Sequence, residues 1–179
     1  SKLSRYKKFF SNKKILITGH TGFKGSWLAF LLKMCNAKIL GISNSFFSEC
    51  SFSNVTEIKA INSRILDLRE YDAIKNEITK FKPHFIFHLA AQPLVSHSYE
   101  NPIETYSTNI FGTINLLEVV KKLKSLQGII IITSDKCYAP KNYYLKEKDE
   151  LFGIDPYSSS KSCQEIITWS YKKCFLQNI

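Results

Sequence analysis

Lys14-Ile-Leu-Ile-Thr-Gly-His-Thr-Gly-Phe-Lys-Gly25 is a short apolar strand that runs straight into glycines at 19, 22 and 25. Trp27, Leu28, Phe30, Leu31 and Leu32 then recur at helical spacing. Strand, glycine-rich turn and helix form the opening unit of a parallel α/β sheet. Each glycine has its own expected duty: Gly19 makes the tight turn, Gly22 lets a pyrophosphate approach the backbone, and Gly25 lets the helix pack close to the strand. Free N–H groups at the helix start would hold the phosphates. A plain strand-to-helix turn that happens to use glycine is the alternative, and three glycines in this context favour a dinucleotide.

Outward from the turn the pattern repeats. Ala37 to Ile42 and Ser63 to Leu66 are expected as strands two and three, separated by a polar connection from Ser43 to Asn62 without a firm period. Tyr71 to Phe81 has amphipathic helical spacing ended by Pro83, and His84 to Leu89 is a continuous apolar strand of the kind buried on both faces. One long helix is expected from about Ile103 to Lys124, and a fifth strand from Gly128 to Thr133. After a tyrosine-rich loop from Tyr138 to Gly153, Pro156 suits the first position of a last helix. Strands and helices in alternation, joined by right-handed crossovers, give a Rossmann-like doubly wound parallel sheet in the order 3-2-1-4-5. Residues 1–12 read as a basic lead-in, either helix or disordered arm, and 13–179 as the nucleotide-binding domain; Ser1-Lys2-Leu3, without Met, reads as a trimmed start.

At 179 residues and 44% apolar, the chain suits one packed core. Its longest apolar runs, Phe85 to Ala91 and Ile129 to Ile132, are far shorter than a membrane span, so no membrane partner is expected. Five irregularly spaced cysteines without a C-x-x-C pair indicate neither a disulfide framework nor a metal site, and a reducing cytoplasm fits them. The net charge of +10 comes from scattered lysines with no stacking-aromatic motif beside them. A nucleic-acid partner is therefore disfavoured, while such a field would also attract a pyrophosphate-bearing small molecule.

Several longer strings carry a family resemblance. The even G-x-x-G-x-x-G spacing resembles the extended short-chain dehydrogenase/reductase superfamily, and His20-Thr-Gly-Phe-Lys-Gly-Ser-Trp27 resembles its CDP-glucose 4,6-dehydratase family. So do His88-Leu-Ala-Ala-Gln-Pro-Leu-Val95, Thr108-Asn-Ile-Phe-Gly-Thr-Ile-Asn-Leu-Leu-Glu118, Thr133-Ser-Asp-Lys-Cys-Tyr138 and Asp155-Pro-Tyr-Ser-Ser-Ser-Lys161. Carried over position by position, the resemblance implies NAD contacts at Gly19, Thr21, Gly22, Phe23, Lys24, Gly25, Asp67, Leu68, Leu89, Ala90, Ala91, Thr108, Tyr157 and Lys161. It implies substrate contacts at Gln92, His97 and Asn109. Asp67 would bond the adenine amine, with a helix N-cap as its alternative role. Ser43 and Asn44 stand where a ribose-binding acid is expected and no arginine for a 2′-phosphate is near, so NAD over NADP rests on the family.

Tyr157 and Lys161 are one helical turn apart, and a cation placed there favours the phenolate that a tyrosine base requires. Alone the pair is weak; behind a glycine turn and Ser134 it gains force. The resemblance implies that Ser134 binds the sugar hydroxyl that Tyr157 deprotonates, that Lys136 removes the C5 proton, and that Asp135 protonates the departing C6 hydroxyl. A solvated Asp135–Lys136 ion pair is the alternative. The usual dehydratase pair is Asp-Glu, and Lys136 in place of Glu resembles the CDP-glucose branch. The implied reaction turns CDP-glucose into CDP-4-keto-6-deoxyglucose with loss of water, a lyase step of deoxysugar and lipopolysaccharide biosynthesis. Another nucleotide-sugar epimerase or dehydratase, or an inactive NAD-binding fragment, is the alternative.

His20, His88 and Cys137 are expected to pack and support rather than react. His97 and Tyr99 are expected in a loop after strand four, where the family commonly carries a basic residue facing the sugar nucleotide. Members of the family carry a further half beyond this length, so the chain is expected to be a cofactor half with strand five as a sheet edge prone to self-association. The helices from Ile103 and Pro156 are those through which the superfamily usually forms homodimers or higher homo-oligomers.

Overall fold

In the computed structural model, which describes residues 2–45 and 61–177, five parallel strands form one sheet in the order β3-β2-β1-β4-β5. The strands are β1 (Lys14–Thr18), β2 (Lys38–Ser43), β3 (Asn62–Ile65), β4 (Phe85–His88) and β5 (Gly128–Ile131). The expected order and fold are thus found. The connection after β2, left without an element by the sequence, lies outside the described residues from 46 to 60.

Central position explains the apolar run of β1. Ile15, Leu16 and Ile17 are all fully buried because alternate side chains enter opposite cores. Leu16 joins Leu40, Ile42 and Ile86 on one face, where Ile74 and Ile78 of α3 (Tyr71–Phe81) and Leu116 and Val120 of α6 (Gly112–Val120) cover them. Ile15, Ile17 and Ile39 meet Ala29 and Leu32 of α2 (Phe23–Met34) on the other. The two edge strands are wetter: β3 is exposed at every position, and Ile130 of β5 is half exposed.

The basic lead-in takes the helical alternative, α1 (Lys2–Phe10), and Phe9 and Phe10 place their rings 5.4 and 6.0 Å from that of Phe85. Helix α3 ends ahead of Pro83, with Lys82 in the left-handed conformation as its C-cap. Helix α7 (Pro156–Cys174) starts with proline at its first turn and Asp155 as cap, Oδ1 accepting the Ser158 N–H at 2.9 Å.

Two expectations change. The segment after β4 is not a loop: Val95–Glu100 forms α4, which holds His97 and Tyr99. The single helix expected over Ile103 to Lys124 is α5 (Pro102–Tyr106), a π turn over Ser107–Phe111, and α6, which ends at Val120. The π turn arises where tertiary hydrogen bonds override the even helical period: Asn109 side-chain atoms bond Gln92 and Ser160, and the Thr113 hydroxyl donates to the Asn109 carbonyl at 2.7 Å.

Candidate active site

The carboxyl ends of β1, β2, β4 and β5, the start of α2 and the first turn of α7 enclose a cleft of about 480 Å³. Ligand sites of open α/β sheets lie at this end of the strands. Every residue expected to touch the cofactor lines the cleft, from Gly19 through Gly25 by way of Thr21, Gly22, Phe23 and Lys24, to Asp67, Leu68, Leu89, Ala90, Ala91, Thr108, Tyr157 and Lys161. Seven lining residues were not singled out as contacts: Ser43, Asn44, Ser45, Leu66, Pro93, Ile132 and Thr133. Position at a strand end was the signal available for them.

The three glycines differ in what the chain itself asks of them. Gly19 has φ +75°, and a Cβ there would lie 2.7 Å from the Ala90 nitrogen. A Cβ on Gly25 would lie 2.1 Å from the Gly19 carbonyl oxygen. On Gly22 it would make only ordinary contact, 3.5 Å from that same oxygen. Gly22 also caps α2 from extended backbone and, as a glycine, brings no side chain to the helix start. The chain thus leaves open the one approach that a phosphate group would use, against amides at the positive end of a helix.

Asp67 does not cap α3, whose N-cap is Glu70. Its carboxylate accepts the Arg69 N–H at 2.8 Å and two guanidinium contacts, Nε at 3.0 Å and Nη2 at 2.5 Å. Those hydrogen bonds hold the Asp67 carboxyl below the ordinary range, against some opposing desolvation, so the cleft keeps an acceptor there.

Lys161 is buried, its Nζ 3.4 Å from the Ile132 carbonyl oxygen and 5.8 Å from the centre of the Tyr157 ring. Burial, with the charge of Lys24 second, pushes its pKa down to about 8. Ser134, Asp135 and Lys136 stand beyond the cleft lining, in a 3₁₀ turn over Asp135–Cys137. The Ser134 hydroxyl accepts the Lys136 N–H at 3.2 Å and donates to Asp135 Oδ1 at 3.1 Å, and both Asp135 and Lys136 are exposed. Cys137 is buried beside them, and burial pushes its thiol up, away from a nucleophile's requirement.

The three expected substrate contacts are not among the cleft's lining residues. Gln92 and Asn109 are buried and bonded to each other, and His97 pairs with Glu104 at 3.0 Å on the exposed side of α4. His20 bridges Ser43 and Ser63 at 2.9 and 2.7 Å, which fits a supporting role.

Residues 16–176 match the family model described as GDP-mannose 4,6 dehydratase. The chain is 41% identical to CDP-glucose 4,6-dehydratase of Salmonella typhimurium across 94% of its own length and 48% of the relative's. Its backbone superposes on the epimerase Mth375 of Methanothermobacter thermautotrophicus with TM-score 0.86 at 21% identity, covering 98% of this chain and 52% of the other. UDP-glucose 4-epimerase of Brucella ovis, solved in complex with NAD, gives 0.78 at 24% identity, covering 91% and 49%. The chain therefore spans about half the length of the relatives it matches. With a matched model over most of its length and the fold and cleft just described, it belongs to the GDP-mannose 4,6 dehydratase family of NAD-dependent epimerases and dehydratases.

Proposed function

We propose that the chain is the NAD-binding and catalytic half of a CDP-glucose 4,6-dehydratase. The observation that carries this is the cleft: all fourteen residues expected at the cofactor line one cavity, with Tyr157 and Lys161 on its wall. The open approach at Gly22 and the uncapped start of α2 fit a pyrophosphate, and the Asp67 acceptor fits an adenine amine. Bound NAD would accept hydride from C4 of the sugar and return it to C6.

The chain's own residues handle the protons. Tyr157 takes the C4 hydroxyl proton with Ser134 bonded to the same oxygen, and Lys161 supplies the positive charge beside the phenolate. The ketone so formed acidifies C5, Lys136 removes the C5 proton, Asp135 gives its proton to the C6 hydroxyl as it leaves as water, and Lys136 hands its proton back to C5 when hydride returns to C6. Sugar and cofactor end with no net oxidation. CDP-glucose as the substrate is supported by the 41% identical relative and by lysine at 136. Cys35, Cys137, Cys163 and Cys174 are unpaired, which fits a reducing cytoplasm. Exposed Ile103, Phe111, Ile166 and Trp169 on α5, the π turn and α7 fit a homo-oligomer.

In the full-length protein, Asp135→Asn should lower water elimination from CDP-glucose by about 10²-fold or more, read as loss of the 4-keto product's absorbance in alkali. Unchanged elimination would remove Asp135 from the mechanism.

A further inference from the structure

A continuous network of buried polar side chains runs from the glycine turn to the helix that carries Tyr157 and Lys161. The Ala90 N–H points to Thr18 Oγ1 at 3.3 Å, and that oxygen meets His88 Nδ1 at 2.7 Å. His88 Nε2 meets Thr113 Oγ1 at 2.9 Å, and the Gln164 amide donates to the same oxygen at 2.6 Å. Thr113 donates onward to the Asn109 carbonyl at 2.7 Å. Asn109 Nδ2 donates to Ser160 Oγ at 2.8 Å, and Ser160 donates to the carbonyl of Tyr157 at 2.6 Å.

Counting protons fixes the direction of each bond. A threonine hydroxyl has one proton, and that of Thr113 goes to Asn109, so Nε2 of His88 must be the N–H. Nδ1 is then bare and accepts from Thr18, whose oxygen in turn accepts from Ala90. The same count explains an oddity. Gln164 Oε1 is buried without a hydrogen-bond partner among the described residues, yet turning the amide would set that oxygen against Thr113 Oγ1 with no proton between them. The orphaned acceptor is tolerated because the hub needs the N–H. Burial of His88 keeps the imidazole neutral, as this pattern requires.

We infer that His88 and Thr113 are positioning residues: their hydrogen bonds hold α7 in one register against the glycine turn, and so fix where the Tyr157–Lys161 pair stands in the cleft. What that pair does rests on the dehydratase reading, whereas its placement does not. Thr18 precedes the first glycine, Ala90 lines the cleft, and the far end of the chain of bonds is the backbone of Tyr157 itself.

The test is the titration of the Lys161 amine, followed by amine-reactive labelling and peptide mass mapping across pH, on the folded protein. The groups facing Lys161 are Tyr157 on its own helix, Lys24 on α2, the Ile132 carbonyl after β5 and neutral His88 on β4. The wild-type midpoint is expected near 8. Thr113→Val keeps the shape but removes the hub oxygen, so α7 should loosen, water should enter, and the midpoint should rise by about one pH unit. Thr113→Ser should restore it, and Ser160→Ala should raise it less. Should Thr113→Val fail to fold by circular dichroism, Ser160→Ala decides alone. Folded variants that keep the wild-type midpoint would overturn the inference. Cofactor binding and turnover are not in the readout, so a failure of the dehydratase reading would show separately.

Discussion

Acidification from pH 6.5 to about 4.5 is expected to destabilise the fold steeply, because unfolding then takes up close to two protons. His20 and His88 are buried, and burial pushes their pKa values from 6.5 down to about 4 and about 3. In the unfolded chain both rings take up protons once pH falls below 6.5, while the folded rings stay neutral until those lower values. Their contribution to stability is therefore complete above pH 6.5 and is lost as pH falls towards the folded pKa values. Each differential proton is worth about 1.4 kcal/mol per pH unit, so two remove about 2.7 kcal/mol per unit once both unfolded-state sites are occupied. About 4 kcal/mol over that window is a large part of a domain's usual 5–15 kcal/mol. Urea unfolding across pH measures the slope, and His88→Gln should roughly halve it. A midpoint that does not move between pH 7 and 5 would rule this account of the two histidines out.

Gly25→Ala is expected to cost about 3 kcal/mol or more, a fall in melting temperature of about 10 °C. The added carbon would sit 2.1 Å from the Gly19 carbonyl oxygen and 2.9 Å from the His20 Cα. Both obstacles are backbone, so no rotamer change relieves them. The turn has little room to give way, because Gly19 stands at φ +75° so near Ala90 that a Cβ there would lie 2.7 Å from the Ala90 nitrogen. Calorimetric melting reads the effect, and a variant as stable as the wild type would show that helix and turn are less tightly packed than described. Gly22→Ala is the control: φ −75° and ψ 171° suit alanine, and its neighbourhood has room.

Strand positions and sheet order were legible because the apolar runs are short, β-branched or aromatic, and bounded by glycine, proline or polar residues, as Ile15–Ile17 and Phe85–Phe87 show. The glycine turn of the cleft was legible from its place after a strand, whereas Asp67, Thr108, Tyr157 and Lys161 were reached through the family resemblance. The π turn was not. It depends on Asn109 reaching Gln92 and Ser160, 17 and 51 residues away, and local periodicity carries no trace of such bonds. Supporting roles for His20 and His88 were legible, but their partners were not: the two-sided hydrogen bonding shows only once Ser43, Ser63, Thr18 and Thr113 are brought to them. Gln92 and Asn109 look like polar groups available to a sugar in the sequence, whereas the fold uses them to join β4 to the helices behind it.

The most direct test of the central claim is calorimetric titration of NAD into the wild-type protein and Gly22→Ala, with melting recorded for both. The account predicts saturable one-to-one binding to the wild type, and a variant that melts like the wild type but binds at least about tenfold more weakly, because its methyl group occupies the pyrophosphate's approach. A folded wild type that takes up no NAD, or a Gly22→Ala variant that binds it equally well, would contradict the account.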